Sequence, residues 1–301
     1  LVWSYFSNFV LSNELAKVTW QSFDKANFPF SKWLPKNKSD PKAVLIGIHG
    51  FSGAASDFNN LGTYLSNQNI SLYAYELRGQ GNDPDQSRVG DIASVEHWYK
   101  DLNSFIKKVH KETGDAPIFL YGESLGSLII MHGNSYLDES IKETIKGVIY
   151  ASPLIALPGE LPPVKNFIVR LAMFLFPKMK ISIKSLASNQ NAQVTSETDH
   201  WEQMAKTPHF VPKYTLRTLG SIEDLVHSSK EVAPRITKPT LILYPGKDVF
   251  TRPDQVDKFF GNLKSKDKTK HLFKESHHLL AFDKEKERLF EIVERWINKR
   301  L

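Results

Sequence analysis

The pentad Gly122-Glu123-Ser124-Leu125-Gly126 carries more chemistry than any other stretch of this chain. A serine hydroxyl is a weak nucleophile until the backbone holds it exposed and a neighbouring base takes its proton. The pentad follows the apolar run Ile118–Tyr121 and precedes Leu128, Ile129, Ile130 and Met131, a strand, a sharp turn and a helix. In that setting G-x-S-x-G lifts the serine above the carboxyl edge of a sheet, where the helix N-terminus favours developing negative charge. An ordinary glycine-rich turn is the competing reading, and it leaves the strand and helix unexplained. A general base and a carboxylate to orient it must then follow, in the order acid, histidine. Asp248 ends the run Pro245-Gly246-Lys247-Asp248 after the apolar segment Leu241–Tyr244, which places it at a strand's carboxyl end. A purely turn-stabilising aspartate is the alternative there; Asp254 and Asp257 fall in the next predicted helix.

The histidine is expected after a last strand, His271–Ser276, which leaves His277 and His278. Two adjacent imidazoles cannot both face one serine. His278 is the better placed, because the polar turn Glu275–His277 then swings the chain toward the pentad, leaving His277 as an exposed loop residue. An acyl intermediate also needs two N–H donors for its oxyanion. Leu125 offers one from the helix start. The second is expected from Phe51 in His49-Gly50-Phe51-Ser52-Gly53, where Gly50 permits an unusual backbone path. His49 is read as a brace for that loop. His97, His110, His132, His200, His209 and His227 lie out of order for a base and read as surface or packing residues.

The elements that would position these groups follow from periodicity. Val44–Ile48, Leu72–Tyr75, Ile118–Tyr121, Val148–Tyr150 and Leu241–Tyr244 are continuously apolar, the pattern of parallel strands covered on both faces. Amphipathic helices alternate with them: one capped by Ser94, with Val95, Trp98, Leu102, Ile106 and Val109 on one face and Gly114 at its end, and a last one through Leu289, Val293 and Trp296. This order predicts an α/β fold, a mostly parallel sheet flanked by helices. Val18–Phe23 and Pro29–Leu34 predict a hairpin that adds an antiparallel edge. The rhythm breaks from 154 to 235, a proline-interrupted stretch without buried-strand runs, read as a helical cap over one edge of the sheet. The core then comprises residues 1–153 and 236–301. Lys264–Lys270 reads as a solvated charged loop.

Composition narrows the classes. The chain has 301 residues and no cysteine, which excludes disulfide scaffolds, thiolate metal sites and a cysteine nucleophile. A net charge of +6, from 39 basic and 33 acidic residues, is spread along the chain rather than gathered into a nucleic-acid-binding stripe. No His/Asp/Glu cluster has ligand spacing and no phosphate-cradling glycine loop appears, so neither a metal nor an organic cofactor is expected. The apolar start (Leu1, Val2, Trp3, Tyr5, Phe6, Phe9, Val10) is too short to span a bilayer. It reads as a helix packed on the body, with a signal-peptide remnant as the second reading, and localisation stays open.

Taken together, these pieces resemble the α/β-hydrolases of the monoacylglycerol lipase and lysophospholipase group. The resemblance rests on His49–Gly53, Leu77-Arg78-Gly79-Gln80-Gly81, the pentad, Ala151-Ser152-Pro153, Tyr244–Asp248 and Ser276-His277-His278, and runs from about residue 17 to the end. Glu76 stands where the family usually has Asp, and Ser127 where a second Gly often follows the pentad. The resemblance implies Ser124, Asp248 and His278 as the catalytic triad, since the family aligns its histidine with the second of such a pair. It also implies hydrolysis of a lipid-like ester such as a monoacylglycerol.

The first segment of the insertion bears on substrate. Val164, Phe167, Ile168, Leu171, Ala172, Phe174 and Leu175 are more apolar than one buried face requires. Either this helix packs on the core, or its spare face, with Phe167, Ile168 and Leu171, lines an acyl tunnel or touches a membrane surface. Lys165, Arg170, Lys178, Lys180 and Lys184 flank it. Each buried methylene contributes ~0.8 kcal/mol, so an apolar channel selects fatty chains. The expected activity is a serine esterase on single-chain lipid esters. The alternatives are a short-chain carboxylesterase, a serine aminopeptidase using Glu160, Glu197, Asp199 or Glu202 to hold an amino terminus, and a non-catalytic ligand-binding protein. An aspartate-nucleophile dehalogenase or epoxide hydrolase is disfavoured by Ser124. Oligomeric state is not legible.

Overall fold

The computed structural model describes residues 18–36, 40–157, 159, 162–183, 194–196, 207 and 209–301. The expectations placed on Leu1–Val10, Lys184, His200, Glu160, Glu197, Asp199 and Glu202 lie outside them. In chain order the strands are β1 (Val18–Gln21), β2 (Asn27–Trp33), β3 (Ala43–Ile48), β4 (Ile70–Tyr75), β5 (Ile118–Glu123), β6 (Ile145–Ala151), β7 (Lys180–Ser182), β8 (Lys213–Thr215), β9 (Thr240–Pro245) and β10 (Lys268–Phe273). The helices are α1 (Asn59–Ser66), α2 (Glu96–Thr113), α3 (Leu125–Gly133), α4 (Glu139–Thr144), α5 (Pro163–Leu175), α6 (Leu216–Val232), α7 (Pro253–Asn262) and α8 (Lys286–Asn298).

Eight strands form one sheet in the order β1-β2-β4-β3-β5-β6-β9-β10. The pairs β1–β2 and β2–β4 are antiparallel and the remainder parallel, so the hairpin adds the predicted antiparallel edge. Its second strand begins at Asn27, two residues before the predicted start. Every residue of β3, β4, β5 and β9 is buried, as continuous apolarity requires of strands with helices on both faces. Successive side chains alternate between those faces. Val44, Ile46, Ile48, Ile118, Leu120, Ile242 and Tyr244 meet Trp98 and Leu102 of α2, Leu128 of α3, Leu225 of α6 and Val256 of α7. Leu45, Phe119, Tyr121, Leu241 and Leu243 meet Leu61 and Leu65 of α1 with Leu289, Val293 and Trp296 of α8.

Chain direction through the sheet places the site. From β3 the chain crosses to β4 on one side and then to β5 on the other, so the loops leaving β3 and β5 diverge. A crevice opens at their carboxyl ends, the switch point at which open α/β sheets bind ligands.

Several boundaries differ from expectation. The last strand is Lys268–Phe273 rather than His271–Ser276, so it starts inside the lysine run expected as a loop. It is an edge strand, where lysines are tolerated: Lys268 Nζ donates to the Phe260 and Leu263 carbonyls at the end of α7, and Lys270 pairs with Asp257. The insertion contains the short antiparallel pair β7–β8, which is too brief to leave an apolar run in the sequence. Its helix α6 buries Ile222, Leu225 and Val226 in the main core rather than lying over an edge. Helix α2 starts at Glu96, with the Ser94 hydroxyl accepting the Glu96 N–H, and Gly114 ends it at φ 61°.

Candidate active site

Ser124 sits between β5 and α3 with φ 51° and ψ −112°, a conformation L residues adopt only where the surroundings impose it. The two pentad glycines supply the space for it. A Cβ on Gly122 would lie 2.6 Å from the Gly126 backbone, and one on Gly126 would lie 2.0 Å from the Ile48 carbonyl oxygen. Ser127, the departure from a second glycine, fits by donating its hydroxyl to the Gly122 carbonyl at 2.7 Å. Leu125 opens α3, and the first N–H groups of a helix have no intrahelical acceptor.

Hydrogen bonds continue across the strand ends beyond the sheet itself. Ser124 N–H donates to Ala151 O (3.0 Å), Ser152 N–H to Leu243 O (2.7 Å), Gly246 N–H to Phe273 O (2.7 Å) and Lys247 N–H to Ser276 O (3.1 Å). This chain of bonds fixes the loops after β5, β6, β9 and β10 relative to one another. On it, Asp248 and His278 meet directly: His278 Nδ1 lies 3.0 Å from Asp248 Oδ1 and 3.1 Å from Oδ2, with both side chains buried. Asp248 Oδ1 also accepts the Phe250 N–H at 2.8 Å, and the Phe250 ring packs edge-on against the imidazole. Burial alone would lower the His278 pKa, but the Asp248 charge and its hydrogen bond outweigh that, Glu123 adds to them, and the net shift is upward. An imidazole held this way has its Nδ1 proton committed to the carboxylate, which leaves Nε2 as the basic nitrogen.

The adjacent histidine is not an exposed loop residue. His277 is partly buried, and its backbone N–H (2.8 Å) and Nδ1 (3.0 Å) both reach Asp283 Oδ2. Asp283 Oδ1 accepts the Ser196 hydroxyl at 2.7 Å, and Leu279 N–H donates to Val194 O at 2.9 Å. The histidine loop is thus tied to the insertion. The Ser152 hydroxyl reaches the His278 carbonyl at 2.5 Å. The sequence offered Ser152 only as part of Ala151-Ser152-Pro153 and Asp283 not at all; the one signal for Asp283 was its nearness to His278.

On the other side of Ser124 the loop after β3 passes in contact. A Cβ on Gly50 would sit 3.3 Å from Ser124 Cβ, so Gly50 is needed for close approach. The unusual backbone path belongs instead to Ser52, at φ 57°. His49 braces this loop: Nδ1 lies 2.8 Å from Gly50 O, and Nε2 accepts the Leu77 N–H at 3.0 Å. Burial pushes its pKa down to about 4, so it is neutral with both nitrogens used on backbone. Glu76 serves in place of the family's Asp, accepting the Ala55 N–H at 3.2 Å. Glu123, directly before the serine, is buried, and burial pushes its pKa up to about 7; the nearby Asp57 adds to this and His278 opposes it. Among the described residues no group of three or more His, Asp or Glu side chains is placed to hold a metal ion.

The candidate substrate contacts stand on α5. Phe167, Ile168 and Leu171 of α5 are 67%, 58% and 43% exposed, beside Val164, Phe174, Leu175 and Phe176, which are also exposed. The reading in which α5 simply packs on the core fails. Among the described residues one edge of it is held, by Met173 near Gly220 and by Arg170 paired with Glu223 and Asp224 of α6.

Comparison with known proteins gives the chain its family. A family profile described as serine aminopeptidase, S33, matches residues 39–285. The chain belongs to that family. A putative monoglyceride lipase of Schizosaccharomyces pombe is 24% identical over 256 residues, 83% of this chain and 65% of that protein. The chain therefore spans less than two thirds of that relative's length. The monoglyceride lipase of Rattus norvegicus is 24% identical over 252 residues, covering 82% of this chain and 78% of the rat protein. A soluble variant of the Saccharomyces cerevisiae monoglyceride lipase, solved with a substrate analogue, superposes with a TM-score of 0.80 at 21% identity, covering 94% and 95% of the two chains. The fold is that of an α/β-hydrolase.

Proposed function

We propose that the protein hydrolyses carboxylic esters of single-chain lipids, monoacylglycerols or similar, through an acyl-enzyme on Ser124. The observation that carries this reading is the buried, doubly hydrogen-bonded Asp248–His278 pair, on loops that strand-end hydrogen bonds link to the loop of Ser124, a serine at φ 51° before a helix N-terminus. Ser124 Oγ attacks the acyl carbonyl carbon while His278 Nε2 takes its proton. The oxyanion is held by the N–H groups of Leu125 and Phe51. Collapse of the tetrahedral intermediate breaks the ester C–O bond, and His278 returns the proton to the departing alcohol. Water then attacks the acyl carbon, again losing a proton to His278, and the fatty acid leaves as Ser124 regains its hydrogen.

The lipid part of the proposal rests on α5 and on the names of the relatives. Residues 154–235 act as a cap, and α5 presents its apolar face to a lipid surface, with Lys165 and Lys178 at its ends suited to anionic headgroups. Burying one Phe or Leu side chain contributes about 1.5–3 kcal/mol, so a few residues suffice for transient contact. No helix among the described residues is long and apolar enough to cross a membrane. The test is a rate profile over glycerol monoesters, p-nitrophenyl esters of rising chain length and aminoacyl amides. A preference for long-chain glycerol monoesters is expected, and it should be lost in Phe167→Ala with Leu171→Ala. Faster cleavage of aminoacyl amides would favour the peptidase reading that the family's description suggests, and equal losses at every chain length would make α5 irrelevant to substrate.

A further inference from the structure

The loop that carries Phe51 is closed by one bond of its own, from Gly53 N–H to Gly50 O at 3.1 Å. Ser52, inside that turn, holds φ 57° without being glycine, a strained angle that contacts from outside the loop help to hold. Three hydrogen bonds do so, all among buried groups. Gln80 Oε1 accepts the Ser52 N–H at 2.9 Å and the Tyr214 hydroxyl at 2.6 Å. The Ser52 and Tyr214 hydroxyls are 2.9 Å apart, and with the tyrosine proton committed to Gln80, Ser52 is the donor. The Tyr214 ring also stacks on Phe51, centroids 4.0 Å apart and planes 29° from parallel. Burial raises the Tyr214 pKa, so the phenol keeps its proton.

Tyr214 does not belong to the core sheet. It lies in β8, opposite Ile181 of β7, within the insertion. That strand is anchored to the segment following Gln80: Thr215 N–H donates to Gly90 O at 2.8 Å, and Arg217 pairs with Asp91. The Lys213 carbonyl comes so near Gly90 that a Cβ there would lie 2.2 Å from it. The tyrosine therefore reaches the loop after β3 from a rigid seat.

We propose that Tyr214 and Gln80 are positioning residues that hold the Phe51 N–H where the oxyanion forms, so that the insertion completes the catalytic geometry as well as covering it. This rests on the esterase reading above. The pair touches no reacting atom. It acts by holding Ser52 in its left-handed conformation, which in turn aims the preceding peptide N–H groups.

The test compares Tyr214→Phe, Gln80→Met and Ser52→Gly with the parent enzyme on a p-nitrophenyl ester, with melting temperatures measured alongside. Tyr214→Phe keeps the ring stacking and removes only the hydroxyl. Its kcat is expected to fall about tenfold with KM within about twofold, less than the hundredfold or more that losing an oxyanion donor costs. Inhibition by a boronic acid, which mimics the tetrahedral intermediate, should weaken by the same factor, while inhibition by the product fatty acid should not change. Tyr214→Phe with Gln80→Met should be no worse than Gln80→Met alone, because the two act as one support. An unchanged kcat in folded Tyr214→Phe, or a loss confined to KM, overturns the proposal. Should that variant not fold, Gln80→Met decides by the same readouts, since it removes the acceptor that Ser52 N–H and Tyr214 share, while Ser52→Gly, which accepts the backbone angle unaided, should lose less than either. Failure of the parent enzyme to hydrolyse esters or to be labelled at Ser124 would instead defeat the underlying reading, and this inference with it.

Discussion

Asp248→Asn is the substitution whose consequence follows most fully from the geometry. Asp248 Oδ1 accepts two bonds, from Phe250 N–H at 2.8 Å and from His278 Nδ1 at 3.0 Å, while Oδ2 lies 3.1 Å from the same Nδ1. Asparagine has one carbonyl oxygen. That oxygen can still accept from both Phe250 and His278, but the NH2 that replaces Oδ2 lies 3.1 Å from Nδ1 as a competing donor and favours the tautomer with its proton on Nε2, the nitrogen that must be empty to act as a base. The charge is lost as well. At 3.0 Å and an effective dielectric of about 20, the attraction between carboxylate and imidazolium is about 5 kcal/mol. Expressed in the transition state, that corresponds to a loss of roughly 10³- to 10⁴-fold in kcat. The shape is unchanged, so the near-UV circular dichroism should match the parent. The assay is kcat and kcat/KM for a short-chain p-nitrophenyl ester from pH 5 to 9. Asp248 raises the His278 pKa and catalysis needs the neutral imidazole, so the acidic limb should move to lower pH in the variant. A loss below tenfold with an unmoved limb would refute this assignment.

Other outcomes are expected. His278→Ala should cost roughly a thousandfold or more in kcat and His277→Ala less than tenfold, because only the former carries the basic nitrogen; steady-state rates on one ester decide. Glu123→Gln removes a buried carboxyl whose folded pKa is about 7 against an ordinary 4.5, a penalty on the order of 3 kcal/mol once it ionises. The sign is set by the folded pKa being the higher. The parent should lose stability as pH rises from about 4.5 to about 7, the variant should lack that step, and denaturation at pH 5 and 8 measures it. The same variant should lower the acidic limb of the rate profile by removing a negative charge near His278. Gly126→Ala places a methyl 2.0 Å from the Ile48 carbonyl oxygen, and chemical denaturation should show a loss of about 3 kcal/mol or more.

What the sequence disclosed and what it concealed have physical causes. Buried parallel strands announce themselves by unbroken apolarity, and Ser124 and Asp248 stand on the turns after two of them, β5 and β9, whereas His278, after the edge strand β10, is reached only from chain order. Partners distant in sequence left no such signal. Tyr214 meets Ser52 across 162 positions, and a tyrosine in a proline-interrupted insertion gives no sign of which loop it will brace. Ile222, Leu225 and Val226 of α6 lie in the stretch read whole as a cap, and nothing local in it showed that this helix joins the core. The lysines of β10 hid an edge strand because their charge dominates the pattern while their stems and ammonium groups close off α7. His277 was misread because its partner Asp283 serves it through both the backbone and the ring, a local turn without periodicity.

The central claim is that one hydroxyl becomes acylated, and mass spectrometry reads it directly. After brief exposure to a fluorophosphonate, and separately after quenching with a p-nitrophenyl ester, the protein should gain the mass of a single adduct. Proteolysis should place it on the peptide containing Ser124, and Ser124→Ala should gain nothing and hydrolyse nothing above background. An adduct on another residue, or a Ser124→Ala protein that still turns over ester, would contradict the account.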